Sequence, residues 1–433
     1  MPVRSLLAAL CLLAVPCVAP AAAAAAAASR VSIPATPSGR ALSAWLDAFN
    51  SGDRARLEAF RASYGSQSQV DGDMRWRNEV GGYDLLAVYT NDATHILFRL
   101  KARADGGEEI GTLQVSDSEP RTLVELGGFR VASGARFEAV TLDDANRRRV
   151  VNQVAGLLRD AYIYPATGQS MAAAILQRID SPAYRALRDG RYLARQLTRD
   201  LRDVSHDQHL EVRFSYVVQP ADLSWRDPDE ESRRLATLNC GFARAEHLLP
   251  NIGYVKFDMF AGVKACGPTA SAAMNFVADS AAVILDLRDN SGGGGGMVEY
   301  IASYLFAGPV HLDPIVGRTP GIADQASTWP EVPGRKFPDK PLYVLTSRRT
   351  FSAAEYLVNT LREQKRAIVV GETTGGGEHT VETRRIDDHF SIRIPNGRVL
   401  TDTDWEVIGI EPDIEVPAAD ALEEALRRAR TDR

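Results

Sequence analysis

Short apolar runs alternate with amphipathic stretches along the second half of this 433-residue chain, and both patterns occur between Pro341 and Gly377. Apolar runs predict buried strands, whereas apolar residues three or four positions apart predict one face of a helix. This stretch therefore predicts a buried strand, a sharp corner at Ser352, a helix, a second buried strand and a glycine-rich turn. Similar strand–helix pairs precede it, and this alternation predicts a mostly parallel, layered α/β core.

The first part of the chain has a different pattern, in which helices come before strands. Helical spacing joins Leu42, Trp45 and Phe49, and a second helix carries Leu57 and Phe60. Three strand-like runs separated by short polar turns follow at residues 85–90, 94–101 and 108–115. This order predicts a separate α+β domain over residues 29–140.

Residues 141–217 lie between these two regions and predict a helical subdomain. Apolar stripes predict helices near 150–161, 171–179 and 192–201, and a strand from Leu210 to Tyr216 begins directly after His209. Residues 218–433 are predicted to form the α/β core. Its other predicted elements are, in order, a loop at 220–233, a strand at 252–258, a helix at 269–279, a strand at 282–285, a helix ending near 306, a proline-rich loop at 308–340, a strand at 390–394, an extended segment at 401–416 and a helix at 418–430.

The composition is that of an ordinary globular protein, with 45% hydrophobic and 24% charged residues. A net charge of −6 argues against a nucleic-acid partner, because nucleic-acid binding requires a basic face. At the N-terminus, Arg4 precedes an apolar run and an alanine-rich stretch ending at Ala28, which is the order of a secretory signal peptide. We therefore expect residues 1–28 to be a signal peptide and the protein to be exported, periplasmic or secreted, without stable membrane insertion after cleavage.

Two cysteines, Cys240 and Cys266, lie downstream of the predicted signal peptide, and an oxidising compartment would allow them to pair. A disulfide between them is one interpretation, and two separate buried thiols is the other. In the chain-entropy model such a bridge contributes about 3 kcal/mol. The sequence has no ligand spacing that predicts a metal site, and no cofactor is expected.

Ser352 lies at the predicted corner between a buried strand and a helix, and two roles fit a serine there. On a strand-to-helix turn, a serine can be an exposed nucleophile whose developing oxyanion is held by N–H groups of the helix. Ser352 and Glu355 also have the spacing of a capping box, in which the serine only satisfies backbone N–H groups. The local sequence leaves both interpretations open.

Five consecutive glycines, Gly292 to Gly296, follow the buried strand that ends near Leu285. Such a run lets the backbone approach a ligand closely and direct N–H groups towards it. The run lacks the lysine of a phosphate-binding P-loop, and it does not match G-x-G-x-x-G, because Met297 or Val298 occupies the last position. An oxyanion-binding turn and a flexible turn remain as alternatives.

A serine nucleophile needs a base, and lysine and histidine are the candidates. Lys365 lies beyond the helix that starts at Ser352, and a rise of about 1.5 Å per residue puts it about 20 Å away. Among the histidines, His209 lies at the mouth of a strand, and His206 and His379 are rival candidates. His379 and the preceding glutamate are predicted to be an exposed loop pair. The spacing therefore favours a histidine base over Lys365.

Four segments, in this order, resemble the tail-specific (C-terminal processing) serine peptidases. They are DQHL at 207–210, AVILDLRDNSGG at 282–293, LTSRRTFSAAE at 345–355 and RAIVVGETTGGG at 366–377. The resemblance covers about residues 142–416 and is closer to the branch that contains the tricorn core protease and the interphotoreceptor retinoid-binding protein. It implies a ClpP/crotonase-like layered core preceded by a helical subdomain.

The resemblance also implies roles for individual residues. Ser352 matches the nucleophile of that family, His209 its base and Glu406 the acid of its catalytic triad. Gly292 matches one oxyanion donor, and the N–H group of Ala353 matches the other. These roles would give a Ser-His-Glu triad with a glycine-amide oxyanion hole.

Three departures from the family pattern bear on which catalytic residues the resemblance implies. The processing branch has a lysine in a Gly-Lys-Gly turn, whereas the turn here is Gly375-Gly376-Gly377. The missing lysine agrees with the argument against Lys365 and selects the histidine triad. The chain also has no room for the peptide-binding PDZ insertion of that branch, and Val407 follows Glu406 where the family usually has glycine.

The N-terminal region resembles the small NTF2-like (SnoaL-like) domains, through the FNSGD segment at 49–53 and its aromatic neighbours, over about residues 41–137. A docking or substrate-presenting role is expected for it. The whole chain is then expected to be an exported serine peptidase that acts on peptides or unfolded proteins. The alternatives are a non-catalytic protein that binds peptides or apolar ligands on the same fold, and an esterase that uses the same triad.

Overall fold

The computed structural model describes residues 31–65, 69–91, 93–131, 135–138, 140, 142–187, 189–223, 228–318, 323–401 and 404–431. The predicted signal peptide lies outside the described residues. The chain forms two compact units that divide after residue 134. Over the ranges given above, none of the helices has both the length and the apolar character that crossing a bilayer requires.

The N-terminal unit packs helices against one antiparallel sheet. Its elements are α1 (Pro37–Ser51), α2 (Arg54–Ser63), α3 (Val70–Val80), β1 (Tyr83–Asn91), β2 (His95–Ala102), β3 (Glu108–Val115) and β4 (Leu123–Val131). The strands follow the order β1-β2-β3-β4, and aromatic side chains such as Trp45, Phe49 and Phe98 fill the core. The predicted α+β order is confirmed. α3 and β4 were not expected from the sequence, because α3 is mainly polar and β4 has no buried residue.

The C-terminal unit begins with helices and continues with alternating strands and helices. The first elements are α4 (Asp144–Ala161), α5 (Pro165–Arg178), α6 (Pro182–Arg185), α7 (Gly190–Ser205), β5 (Glu211–Phe214), α8 (Pro228–Thr237), β6 (Phe242–Leu248), β7 (Ile252–Phe257), α9 (Val263–Phe276), β8 (Ala282–Asp286) and α10 (Gly295–Ala302). The rest are β9 (Ile315–Gly317), β10 (Ala323–Asp324), β11 (Leu342–Thr346), α11 (Ala353–Glu363), β12 (Ile368–Gly371), β13 (His379–Arg385), β14 (Phe390–Val399), β15 (Ile414–Glu415) and α12 (Ala421–Thr431).

Six strands in the order β15-β12-β11-β8-β7-β6 form the central sheet of this unit. Neighbouring strands are parallel except for β6 and β7, which are antiparallel. Strands β8 and β11 are buried along their whole length, because α9, α10 and α11 cover one face of the sheet and α12 covers the other. The mostly parallel, layered α/β core is therefore confirmed, and it agrees with the ClpP/crotonase-like fold class.

A second sheet is built around β14, which pairs antiparallel with β13, β9 and β5. Helices α4, α5 and α7 pack on this sheet, because Leu158 and Leu197 share one apolar core with Ile392 and Ile394. The predicted helical subdomain is thus present, and its helices share their core with β14. His209 lies two residues before β5, so this packing fixes where the histidine lies.

Three predictions of secondary structure are wrong. The predicted loop at 220–233 contains the start of α8, and the predicted loop at 308–340 contains the short strands β9 and β10. The expected extended segment at 401–416 is a strand only at β15. Val407 and Gly409 have φ values of 69° and 80°, so they turn the chain within the segment that was predicted to be extended.

Cys240 and Cys266 form a disulfide between the turn before β6 and helix α9, with Cα atoms 5.6 Å apart. The disulfide interpretation is therefore confirmed over the two separate thiols. The bridge joins two residues 26 positions apart in the sequence, for which the chain-entropy model gives about 3 kcal/mol of stabilisation.

Candidate active site

Ser352 follows strand β11 at a sharp corner, and α11 begins at the next residue. Its φ of 57° and ψ of −122° are rare for a residue other than glycine. Its N–H group donates to Glu355 Oε2 at 2.8 Å, and its side chain faces the Glu355 N–H group, so the capping box is present. The two roles are compatible, because a strained strand–turn–helix corner is also where a nucleophilic serine occurs.

The buried carboxylate of Glu355 connects this corner to the glycine turn at 375–377. It accepts hydrogen bonds from the N–H groups of Ser352, Gly376 and Gly377 and from the hydroxyl of Thr374. Burial raises the pKa of Glu355, although these hydrogen bonds act in the opposite direction. Sequence analysis had identified Glu355 only as a cap, whereas it also fixes a turn more than twenty residues away in the chain.

Gly292 lies directly against the Ser352 corner. A Cβ atom on Gly292 would be 2.7 Å from Ser352 Cβ and 3.0 Å from Ala353 N, and its φ is 94°, so only glycine fits. The Gly292 N–H group donates to Asn290 Oδ1 at 2.9 Å. Across the described residues, the N–H groups of Gly293 and Ala353 have no hydrogen-bond partner. The structure thus brings Gly292 and Ala353 together beside Ser352, with the Gly292 N–H already engaged.

His209 is buried, with 3% of its surface exposed, and its ring centroid lies 4.6 Å from that of Phe351, the residue before Ser352. Gly377 lies against the same ring, since a Cβ there would be 2.8 Å from His209 Cε1. Burial lowers the pKa of His209, although Asp207 opposes this effect. At neutral pH the ring is therefore mostly neutral, which is the form that a general base requires.

Glu406 lies in the turn after residue 404 and is mostly buried. Its Oε2 accepts the N–H groups of Glu378 at 2.7 Å and of His379 at 3.3 Å. Burial raises the pKa of Glu406 to about 7, and His379 opposes this effect. The carboxylates of Glu406 and Asp207 and a ring nitrogen of His209 all lie within 4.8 Å of one another. The predicted acid is therefore close to the predicted base.

Asp207 is a second carboxylate at His209, and the sequence analysis assigned it no role. Its Oδ1 accepts the backbone N–H of His209 at 2.9 Å and lies 3.7 Å from the ring Nδ1, whereas Glu406 makes no ion-pair contact with His209 within the described ranges. The spacing Asp-x-His within the DQHL segment was the signal that could have indicated this contact. Asp207, His209 and Glu406 are also residue types that bind metals, and here the two carboxylates lie close to the predicted base.

The two rival histidines are not placed as bases for Ser352. His206 ends helix α7 with a φ of 58° and is exposed. His379 begins β13 and is buried, as is Glu378, so the predicted exposed loop pair is wrong. The cause is that Glu406 accepts the N–H groups of both residues and covers them. His379 Nδ1 donates to Asp207 Oδ2 at 2.7 Å, whereas it is Oδ1 of Asp207 that lies 3.7 Å from His209 Nδ1.

Comparison with known proteins identifies two matching families. The profile of peptidase family S41 matches residues 251–416, and the profile of the N-terminal domain of peptidase S41 in eukaryotic IRBP matches residues 140–239. These ranges contain Ser352, His209, Glu406, Gly292 and Ala353.

Two curated relatives are carboxyl-terminal-processing peptidases 2 and 1 of Arabidopsis thaliana chloroplasts. They are 30% and 29% identical to this chain over 176 and 154 residues. The matches cover 39% and 34% of this chain and 32% and 29% of those proteins, so the chain spans about a third of the length of the curated relatives it matches.

Two solved structures are also similar to part of this chain. A crystal structure of a peptidase from Parabacteroides merdae is 18% identical, with a TM-score of 0.48, over 65% of this chain and 96% of that chain. The photosystem II D1 C-terminal processing protease is 17% identical, with a TM-score of 0.42 and the same coverage.

Proposed function

Because residues 140–239 and 251–416 belong to peptidase family S41, we propose that this protein is a serine-type peptidase with Ser352 as its nucleophile. The observation that carries the proposal is the Ser352 corner itself. The serine is held in a rare backbone conformation, Gly292 lies against it, and a buried, mostly neutral histidine packs on the preceding residue. A serine that only capped a helix would not require these neighbours.

The proposed reaction begins when neutral His209 takes the proton of the Ser352 hydroxyl as the oxygen attacks a peptide carbonyl. The carboxylates near His209 stabilise the imidazolium that forms. The N–H group of Ala353 is the first proposed donor to the oxyanion. The N–H group of Gly292 is the second, and it has to exchange its bond to Asn290 Oδ1 for a bond to that oxygen. Each such donor contributes about 10²–10³ in rate. The protonated His209 then transfers its proton to the amine as the peptide C–N bond breaks, and a water molecule deprotonated by His209 hydrolyses the acyl-enzyme and restores Ser352.

The proposed substrates are peptides or unfolded proteins. The carboxyl-terminal-processing relatives favour cleavage near a chain end, although this chain matches only part of them. The proposed location is outside the cytoplasm, because the predicted signal peptide and the Cys240–Cys266 disulfide both fit an oxidising compartment. For the N-terminal unit, the NTF2-like assignment and a docking role are part of the proposal.

The proposal is tested by labelling the protein with a fluorophosphonate, which reacts with activated serines, and by following cleavage of unfolded casein. We expect wild-type protein to be labelled and Ser352→Ala to be unlabelled, with cleavage by Ser352→Ala and His209→Ala lower by about 10⁶-fold. His206→Asn is the matched control, because His206 is exposed and lies outside the site. Equal labelling of wild type and Ser352→Ala would reject the nucleophile. An unlabelled wild type would favour a binding protein, and turnover of esters without peptides would favour an esterase.

A further inference from the structure

We propose that His379 is a positioning residue of this site, an imidazolium that holds the carboxylates of Asp207 and Glu406 around His209. The inference rests on the proposed function, because it assigns a role within the same site. His379 lies outside the proposed triad, and the sequence analysis named it only as a rival candidate for the base. The basis of the inference is a buried pair of hydrogen-bonded side chains and the carboxylates that surround them.

His379 contacts both acids that approach His209. Its Nδ1 lies 2.7 Å from Asp207 Oδ2 and 3.6 Å from Glu406 Oε2, and its backbone N–H also donates to Glu406 Oε2. The side chains of His379 and Asp207 are 2% and 1% exposed. Water therefore does not screen this pair, and losing one partner would leave a buried charge without compensation.

Asp207 transmits the position of His379 to His209. Its Oδ2 accepts from His379 Nδ1 and from the Tyr162 hydroxyl at 3.1 Å, while its Oδ1 accepts the backbone N–H of His209. Both carboxylate oxygens are thus fixed, and Oδ1 is held 3.7 Å from the His209 Nδ1. A change on the Oδ2 side rotates or shifts the oxygen that faces the base.

The charges around His379 favour its protonated form. The titratable and charged groups that face it or its immediate partners are Asp207, His209, Tyr162, Tyr164, Glu378, Asp404, Glu406 and Arg398. Burial alone would lower the pKa of His379, but the hydrogen bond to Asp207 and the charge of Glu406 outweigh burial and raise it. For Asp207 burial opposes ionisation, and the two histidines overcome it and lower the pKa.

Removing this cation would change which carboxylates are ionised. Burial raises the pKa of Glu406 to about 7 even with His379 present, and that of Glu378 to about 8. Without the imidazolium, Asp207 would remain ionised, and Glu406, which is already partly protonated near pH 7, would be mostly protonated there because two like charges would repel. The site would then lose one of the carboxylates that stabilise protonated His209.

His379 acts through the acids rather than on the serine. Its contacts are Asp207, Glu406 and the ring of Tyr164, whereas His209 packs on Phe351 beside the nucleophile. Its Nε2 is buried and has no hydrogen-bond partner among the described residues. An imidazolium here leaves the Nε2–H without a partner in the described part of the structure, so its charge is compensated at Nδ1, by Asp207 and by the nearby Glu406.

Two substitutions separate hydrogen bonding from charge. His379→Asn places an amide N–H near the position of Nδ1 without a charge, and His379→Phe keeps the ring volume without either property. His389→Asn is the matched control, because His389 is also buried but bonds Ser215 O and Glu138 away from the site. The first readout is the rate of fluorophosphonate labelling of Ser352 from pH 5 to 9. The second is NMR titration of the histidine rings in full-length protein.

We expect His379→Asn to move the acidic limb of the labelling profile up by about one pH unit and to lower the rate at pH 7 about tenfold, with recovery at higher pH. His379→Phe should lose about 10²-fold over the whole range, because Asp207 is no longer held. His389→Asn should match wild type. In the NMR titration, wild-type His379 should be protonated at pH 7, and Asp207→Asn should lower its midpoint.

Two results would overturn the inference while leaving the proposed function intact. In the first, wild type is labelled and the pH profile of labelling of His379→Asn superimposes on it. In the second, the wild-type His379 ring is neutral at pH 7. If wild type is not labelled, the proposed function fails, and the NMR titration still decides whether His379 is the charged partner of Asp207. Circular dichroism and thermal unfolding of each variant show whether a loss of labelling reflects a loss of fold.

Discussion

The serine side and the histidine side of this site differ in how completely their polar groups are paired. On the serine side, Glu355 accepts four hydrogen bonds that fix the Ser352 corner and the glycine turn. On the histidine side, both ring nitrogens of His209 and one carboxylate oxygen of Glu406 have no hydrogen-bond partner within the described part of the chain. One side is therefore set by backbone geometry, and the other by the balance of titratable groups.

The difference indicates a division of labour within one site. An oxyanion hole works best when its donors are fixed before the reaction, because no reorganisation is then needed. A base must gain and lose a proton, so its environment has to tolerate two charge states. Catalytic hydrogen bonds are often long without substrate and shorten in the complex, which fits the 3.7 Å separation of His209 and Asp207.

The largest effect on the folded state is expected from Glu355→Gln, which removes hydrogen bonds on the serine side. Whichever way the amide is oriented, its NH₂ group faces two buried donors, because each carboxylate oxygen of Glu355 accepts two hydrogen bonds. We expect a loss of about 3 kcal/mol in unfolding free energy, since an unsatisfied buried donor costs about 1–3 kcal/mol. Labelling of Ser352 should fall as well. Urea unfolding measures the first effect and fluorophosphonate labelling the second.

Glu363→Gln is the control for this substitution, because Glu363 is exposed at the other end of α11. It should leave both the urea midpoint and the labelling rate unchanged. If Glu355→Gln is as stable as Glu363→Gln, the carboxylate does not hold the corner, and the contrast between the two sides disappears.

The same contrast explains what the sequence could predict. The strand, corner, helix, strand and turn of the serine side lie within residues 342–377, so local patterns were enough to predict them. The histidine side joins Asp207, His379 and Glu406, which are far apart in the chain. Periodicity does not indicate which loops meet, and only the family resemblance placed Glu406 near His209.

Other parts of the fold were missed because their patterns were weak. β13 contains several polar and charged residues beside a glycine turn, which predicted an exposed loop at His379. Val407 lies in the segment that was predicted to be extended, whereas its positive φ turns the chain. In both places the local sequence is polar or ambiguous, and tertiary contacts at Glu406 decide the structure.

A smaller effect is expected on the rate at which Ser352 is labelled as the pH changes. This pH dependence tests the histidine side of the site. The pKa of Glu406 is raised to about 7, so this carboxylate gains its charge as the pH rises through about 7. His209 has a lowered pKa and is already mostly neutral there, so it does not set this limb. The labelling rate of wild type should therefore rise between pH 6 and 8. Glu406→Gln should remove the rise and be about tenfold slower at pH 8.

Glu411→Gln provides the comparison for this variant, because Glu411 is an exposed acid that lies close to Glu406 in the chain. Its profile should follow that of wild type. A wild-type rate that is flat between pH 6 and 8, or a Glu406→Gln profile that still rises, would show that another group sets this limb.

The smallest effect is expected at Val407, which tests whether strain on the histidine side serves the site as it does at Ser352. Val407 has a φ of 69°, is 52% exposed and donates its N–H to Gly376 O at 3.0 Å. A β-branched residue in this region costs about 1–2 kcal/mol, and glycine removes that strain but adds about 0.5–1 kcal/mol of backbone entropy. Val407→Gly should thus raise the unfolding free energy by at most about 1.5 kcal/mol. The pH profile of labelling should not change, because Glu406 keeps its bonds to Glu378 and His379. Val407→Ala keeps a side chain at the positive φ, so its unfolding free energy should rise less than that of Val407→Gly. A shift of the pH profile in Val407→Gly would show that the strained valine helps to place Glu406, and the strain would then be functional on both sides of the site.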